Sequence, residues 1–211
     1  MKTTNVLVVG AGAQAKYIIE IFKHYTNKEV IGIADVENNS NIHGKQIDGV
    51  KVLGNFDEAL STIEKNTKII IGYSNNKKKQ ELAKKVKERG FSFINAIHPE
   101  SSISENVNLG KGVIVNANAT VLPFAKIGNH VMIHSNTVVE HDNIIGDYVN
   151  LAPGVSISGY VKIGERSYIY TGASISPNIT VGKDSTVGAG AVVIENVIDN
   201  KTVVGVPAKP I

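Results

Sequence analysis

The residues best suited to chemistry sit side by side: Glu140-His141-Asp142, an imidazole between two carboxylates. Histidine titrates near pH 6.5 in model peptides, so it accepts a proton and hands it on under neutral conditions. A lone histidine is more often a satisfied surface or core residue, and it is the setting that singles this one out. From Ile103 to Val193 every sixth residue is aliphatic, sixteen positions with no break in phase. The residue four places after each, from Val107 to Val197, is small or aliphatic, except at Asn143. The acid–histidine–acid triplet lies in that one irregular repeat.

A sixfold period cannot come from a helix, with its period of 3.6, or from a lone strand, with its period of 2. It is an internal repeat, and hexapeptide repeats form parallel β-helices. The expected fold class is therefore an all-β parallel β-helix preceded by an α/β, Rossmann-like domain. The repeats run from about 101 to 198. The tail from Asn200 to Lys209 breaks the period and is expected to close the open end of the coil, because an uncovered sheet edge invites aggregation.

Ahead of the repeats, Asn5–Val9 is a short apolar run that predicts a buried strand. Gly10-Ala11-Gly12-Ala13-Gln14-Ala15 follows, then an apolar-periodic stretch from Tyr17 to Phe22, then a second strand over Val30–Ala34 ending at Asp35. This is a βαβ unit with a G-x-G-x-x-A turn. Glycine lets backbone approach a phosphate, the helix N-terminus favours negative charge, and the carboxylate of Asp35 is placed to accept from ribose hydroxyls. Further strands are expected at 51–53, 68–72 and 92–96, and helices at 56–63 and 77–89. The segment 37–48 is expected as a polar surface loop. In a parallel sheet, Ser74 faces the same rim as Gly10 to Gln14. His98-Pro99 ends the last strand, predicted over Phe91–Ile97, and sets domains at 1–98 and 99–211. With about 95 residues before the repeats there is room for little more than one mononucleotide half. One nucleotide, rather than NAD, is the expected ligand.

Composition narrows the classes. Twenty-two Lys and Arg against 19 Asp and Glu leave a net charge of +3, too small an excess to argue for nucleic acid. The lysine cluster from Lys77 to Arg89 fits a solvated helix face. There is no cysteine, which excludes thiolate metal sites and fits a reducing cytoplasm. No histidine–acid cluster has metal-binding spacing, and no metal is expected. No stretch approaches the ~20 apolar residues of a membrane span, and no secretory leader is apparent.

The pairs Ile127-Gly128, Ile145-Gly146, Ile163-Gly164, Val181-Gly182 and Val187-Gly188, with the ending Gly205-Val206-Pro207-Ala208-Lys209, resemble the left-handed β-helix acyltransferases. With the GAGAQA turn, the His98-Pro99 junction and the Glu140-His141-Asp142 triplet, the whole chain resembles one family among them. That family comprises the sialic-acid O-acetyltransferases and the PglD-type nucleotide-amino-sugar N-acetyltransferases. The resemblance implies a prism of three six-residue faces, so that one coil takes 18 residues. It implies a homotrimer that takes acetyl-CoA in the groove between subunits. It implies that His141 is the catalytic base, oriented by Glu140 or Asp142. It places the nucleotide sugar at Gly10, Gly12, Ala13, Gln14, Asp35 and Ser74, with His134 as a further candidate contact. On the CoA side it implies Asn150, Gly172, Ala173, Pro177, Asn178, Gly190 and Lys209. One 18-residue coil beyond His141 is Gly159, whose N–H would sit about one strand spacing, ~4.8 Å, away as an oxyanion donor.

The implied reaction is N-acetylation of a 4-amino group on a nucleotide-linked deoxy amino sugar. The rivals are O-acetylation of sialic acid or a related sugar, and a non-catalytic nucleotide-binding trimer. Two positions depart from the family pattern: Ala13-Gln14 replaces a Gly-His pair in the nucleotide turn, and Asn150 stands where some relatives carry a second histidine.

Overall fold

Thr4–Val9 forms β1, whose last four side chains are fully buried. That burial is what a continuous Val-Leu-Val-Val run requires, because the strand is covered on both faces. The computed structural model describes residues 3–211 and divides into two compact units, 1–96 and 97–211.

In the first unit, β1 lies between β2 (Lys28–Asp35) and a strand at Lys68–Ile71. Between these two in sequence come β3 (Gln46–Ile47) and β4 (Val50–Asn55). With Lys68–Ile71 as β5 and Ser92–Phe93 as β6, the sheet order is β3-β4-β2-β1-β5-β6. All pairings are parallel except β3 with β4. The chain leaves β1 first to one side and later to the other, so loops diverge at its carboxyl end.

Helix α1 (Ala13–Tyr25) buries Ala15, Ile18, Ile19, Ile21 and Phe22, the apolar stripe expected of a helix on a sheet. Helix α2 (Phe56–Thr62) starts with a reciprocal cap. Asn55 Oδ1 accepts from the Asp57 and Glu58 N–H groups, and Glu58 accepts from the Asn55 N–H. Helix α3 (Asn76–Glu88) is capped by Asn75, which accepts from the Lys78 N–H at 2.9 Å. It stops at Gly90, whose φ of +77° favours glycine.

Two expectations need correction. The segment 37–48 is not a plain loop: it holds a 3-10 turn at Ser40–Ile42 and the edge strand β3. The run Phe91–Ile97 is not one strand either. Ser92–Phe93 pairs with β5, whereas Ala96–Ile97 heads the longest sheet of the β-helix. An apolar run does not reveal that two different sheets share it.

The second unit is a solenoid of two-residue strands in three sheets of eight, six and five strands. Up to Val193 partners are 18 residues apart, as in Thr120↔Val138↔Ser156 and Lys126↔Ile144↔Lys162, and the spacing shortens to 16 where the tail joins, as in Thr186↔Thr202. The aliphatic residues at the sixfold positions point inward and, with the small residues four places on, form one continuous core. A left-handed residue precedes the small one in most corners, among them Asn118, His130, Asp142, Tyr160, Asn178 and Asp184. Asn and Asp tolerate that conformation better than most residues, and tight stacking holds the others there. The tail supplies the last two strands of the longest sheet: Thr202–Val204 continues it in parallel, and Lys209–Pro210 folds back antiparallel.

Candidate active site

His141 stands at the corner that follows Val138–Val139, just before the left-handed Asp142. Its Nδ1 is 2.9 Å from Asp142 Oδ2. Of the two flanking carboxylates, it is therefore Asp142 that holds the ring. A carboxylate on Nδ1 keeps the proton there and leaves Nε2 as the basic nitrogen. The imidazole is about half exposed (46%), and Tyr160 packs edge-on against it with ring centroids 5.1 Å apart.

One coil on lies Gly159. The two turns are tied by the Tyr160 N–H donating to the His141 carbonyl at 3.2 Å. A Cβ on Gly159 would lie 2.7 Å from His141 Cε1 and 2.8 Å from Nε2. Glycine is thus required by close approach of the ring and not by backbone conformation. Among the described residues nothing accepts from the Gly159 N–H. A ring nitrogen and an unengaged donor on adjacent turns are the groups that general-base and oxyanion chemistry call for.

The other positions expected on the acyl-donor side fall into separate places. Asn178 stacks on Gly159, donating its N–H to the Gly159 carbonyl at 3.1 Å, and Pro177 is exposed beside it. Gly172 and Gly190 belong to a different corner column, the one that contains His134. Ala173 in that column points into the core and is fully buried, so only its backbone lies at the surface. His134 is buried, with Nδ1 3.4 Å from Asn116 Nδ2. Asn150 is fully buried in the strand Asn150–Leu151. Lys209 lies 3.4 Å from Glu195.

In the first unit, the loops at the carboxyl ends of β1, β2 and β5 line a cavity of about 390 Å³. Gly12, Ala13, Gln14, Asp35 and Ser74 all line it. Gly10 is not part of the lining but packs beside it: φ is +112°, and a Cβ there would lie 2.5 Å from the carbonyl oxygen of the lining residue Gly72. Helix α1 begins at Gly12 with no side-chain cap and no acidic residue in its first turn. Its free N–H groups and dipole therefore favour an anion. Gln14 Oε1 is buried and accepts from nothing among the described residues.

Asp35 also has partners within the protein. Its carboxylate accepts from the Glu37 N–H (3.0 Å) and the Asn39 N–H (2.5 Å), and His43 Nε2 lies 3.2 Å away. It builds the loop that walls the cavity. That loop brings Glu37 and Asn39 to the cavity, where Tyr73 joins them, none of which carried a signal in the sequence. The Tyr73 hydroxyl donates to Glu37, and this hydrogen bond, with burial, raises the tyrosine pKa. The acid at the end of β2 was visible in the sequence; the loop folding back onto it was not.

Known proteins place this arrangement. The model for the PglD N-terminal domain matches residues 5–86, and the model for bacterial transferase hexapeptide repeats matches 124–159 and 160–195. Among solved structures, a histidine-to-asparagine variant of perosamine N-acetyltransferase from Caulobacter crescentus, in complex with CoA and GDP-perosamine, is 32% identical. It superposes with a TM-score of 0.92 over 100% of this chain and 98% of that one. The acetyltransferase domain of PglB from Neisseria gonorrhoeae FA1090, in complex with acetyl coenzyme A, is 29% identical, with a TM-score of 0.91 and full coverage of both chains (100% each). WeeI from Acinetobacter baumannii AYE is 26% identical, with a TM-score of 0.90 over 99% of this chain and 100% of that one. No curated protein matches the chain. The class these coils define is that of the hexapeptide-repeat acyltransferases. Within it, the chain belongs to the PglD-type acetyltransferase family.

Proposed function

We propose that the protein transfers an acetyl group from acetyl-CoA to the amino group, the 4-amino group, of a nucleotide-linked deoxy amino sugar. The observation that carries this is the corner at His141: a histidine held by Asp142 at 2.9 Å, with its ring against Gly159. The solved relative bound to CoA and GDP-perosamine supports the choice of an amine over a hydroxyl acceptor. The α/β unit supplies the nucleotide site, with the start of α1 for the phosphates and the Asp35-built loop as its wall.

Chemically, His141 Nε2 takes a proton from the sugar amine as its nitrogen attacks the thioester carbonyl. The carbonyl becomes an oxyanion that accepts from the Gly159 N–H. As the C–S bond breaks, CoA leaves as thiolate and takes the proton back from the imidazolium. Transfer is direct, with no acyl-enzyme. The exposed apolar residues Phe124 and Tyr160 flank His141 in its corner column, which supports a homotrimer with the site completed at a subunit boundary.

The test is an assay with acetyl-CoA and a panel of UDP-, GDP- and dTDP-linked 4-amino sugars, read by product mass and free thiol. An N-acetylated sugar with stoichiometric CoA release is expected. Acetylation of sialic acid hydroxyls instead would overturn the amine assignment, and no binding of any acyl-CoA would overturn the enzyme assignment.

A further inference from the structure

Asn143 is the single break in the repeat pattern, and its side chain is fully buried inside the coil. In corners such as those ending at Ala119, Thr137 and Ala173, the small residue's backbone N–H closes the turn. It donates to the carbonyl three residues back, at 3.3, 3.3 and 3.2 Å. At the His141 corner a side-chain amide does this work. Asn143 Nδ2 donates to the Glu140 carbonyl at 2.9 Å. Its Oδ1 accepts from the Val161 N–H at 2.6 Å, one coil on. Val161 ends the next turn, the one that contains Gly159.

One amide thus clamps the peptide on one side of His141 to the turn that carries the Gly159 N–H. The ring lies directly against Gly159, as the close approach already described shows. A shift of either turn changes the distance between the basic nitrogen and the oxyanion donor. We infer that Asn143 is a positioning residue for acetyl transfer: its buried amide sets the spacing between the His141 and Gly159 turns. This inference rests on the proposed role of His141.

A matched control exists in the same solenoid. Ser167 occupies the equivalent interior position in another corner. Its Oγ donates to the Gly182 carbonyl at 2.6 Å and accepts from the Ser185 N–H at 3.1 Å, one coil on. It removes a similar polar strut when truncated, yet no residue of the proposed chemistry sits on its turns.

The experiment is steady-state kinetics on Asn143→Val, Asn143→Thr, Ser167→Ala and His141→Ala, with thermal melts of each. Valine fits the position because aliphatic residues occupy it in other repeats. In Asn143→Val, kcat is expected to fall roughly 10- to 100-fold, the scale of a small misplacement, with KM for both substrates nearly unchanged. Asn143→Thr keeps one hydroxyl, as at Thr137, and is expected to recover part of kcat; it carries the same test if the valine variant does not fold. Ser167→Ala is expected to lose stability and keep kcat. Full kcat in a folded Asn143 variant, beside an inactive His141→Ala, overturns this inference alone. Full activity in His141→Ala overturns the catalytic role on which it rests. An equal kcat loss in Ser167→Ala overturns it by making the effect merely structural.

Discussion

Two corner columns of the β-helix use the same backbone and end in opposite states. At the corner through residues 111, 129, 147, 166, 184 and 199, polar side chains reach from coil to coil to accept backbone N–H groups or to pair as ions. The Lys111 N–H donates to Asn129, the Asn129 N–H to Asp147 at 2.7 Å, and the Lys183 N–H to Asp199. Arg166 makes a two-point contact with Asp184, at 2.8 and 2.7 Å, and also pairs with Glu165. These partners hold its guanidinium more firmly protonated than usual, the hydrogen bond to Asp184 most of all. His130 is buried there and stacks on Tyr148. In the column through His141 and Gly159, the N–H at the position equivalent to Asn129 is that of Gly159, and among the described residues nothing accepts from it. Polar side chains at 18-residue spacing therefore hold coils together in one place and leave an exposed imidazole beside an unengaged donor in another. Residue type alone does not separate these roles: both columns have a histidine, and only one histidine is exposed beside an unengaged donor.

The sharpest way to break this contrast is Gly159→Ala. The added methyl would fall on the His141 ring and displace it from the Gly159 N–H, so kcat is expected to drop by about 100-fold, the scale of a ~1 Å misplacement. The melting temperature should barely move, because the ring is half exposed and free to swing outward. Wild-type kcat in this variant would mean that the ring and the Gly159 N–H do not act together.

The satisfied column predicts the converse. Asp184→Asn removes one partner of a largely buried ion pair and should destabilise the protein by about 1–3 kcal/mol, measured by chemical denaturation. Activity below the transition should be unchanged. A loss of kcat at full folding would blur the division between the columns.

A smaller effect belongs to the α/β unit. Lys79 is fully buried, and burial lowers its pKa from the ordinary lysine value of 10.5 to about 7. Between those two values the unfolded chain binds the proton and the folded chain does not. This group therefore lowers stability as pH falls from 10.5 to 7, and adds no further change below 7. Relative to the wild type, Lys79→Met should melt a few degrees higher at pH 7, with the gap closing toward pH 10.5. A gap that does not change with pH would contradict the burial argument.

The coils were legible because the period is a direct imprint of packing. An inward aliphatic every six residues requires corners in phase, and His141 plus 18 falls on Gly159. The α/β unit was legible where strands are continuous apolar runs, as at Val6–Val9 and Ile69–Ile71. What the sequence hid were interactions without a period. The loop from Glu37 to His43 is organised by backbone donors converging on Asp35, and nothing in its polar composition announces that. Ala96–Ile97 reads as a continuation of the preceding apolar residues, although it pairs in a different sheet. Asn143 stood out as a break, but its role as a clamp depends on which N–H lies one coil on. Ala173, implied by the family resemblance as a CoA contact, has its methyl group buried by the inward phase of the repeat, which leaves its backbone for any contact.

The central claim is that the His141 corner is the catalytic centre, and single-turnover kinetics on His141→Ala test it most directly. The measurement is acetyl transfer from acetyl-CoA to an accepted nucleotide-linked amino sugar, beside melting temperature and CoA binding. Loss of roughly 100-fold or more in the transfer rate, with folding and CoA binding intact, is the predicted result. Transfer at the wild-type rate in the folded variant would contradict it.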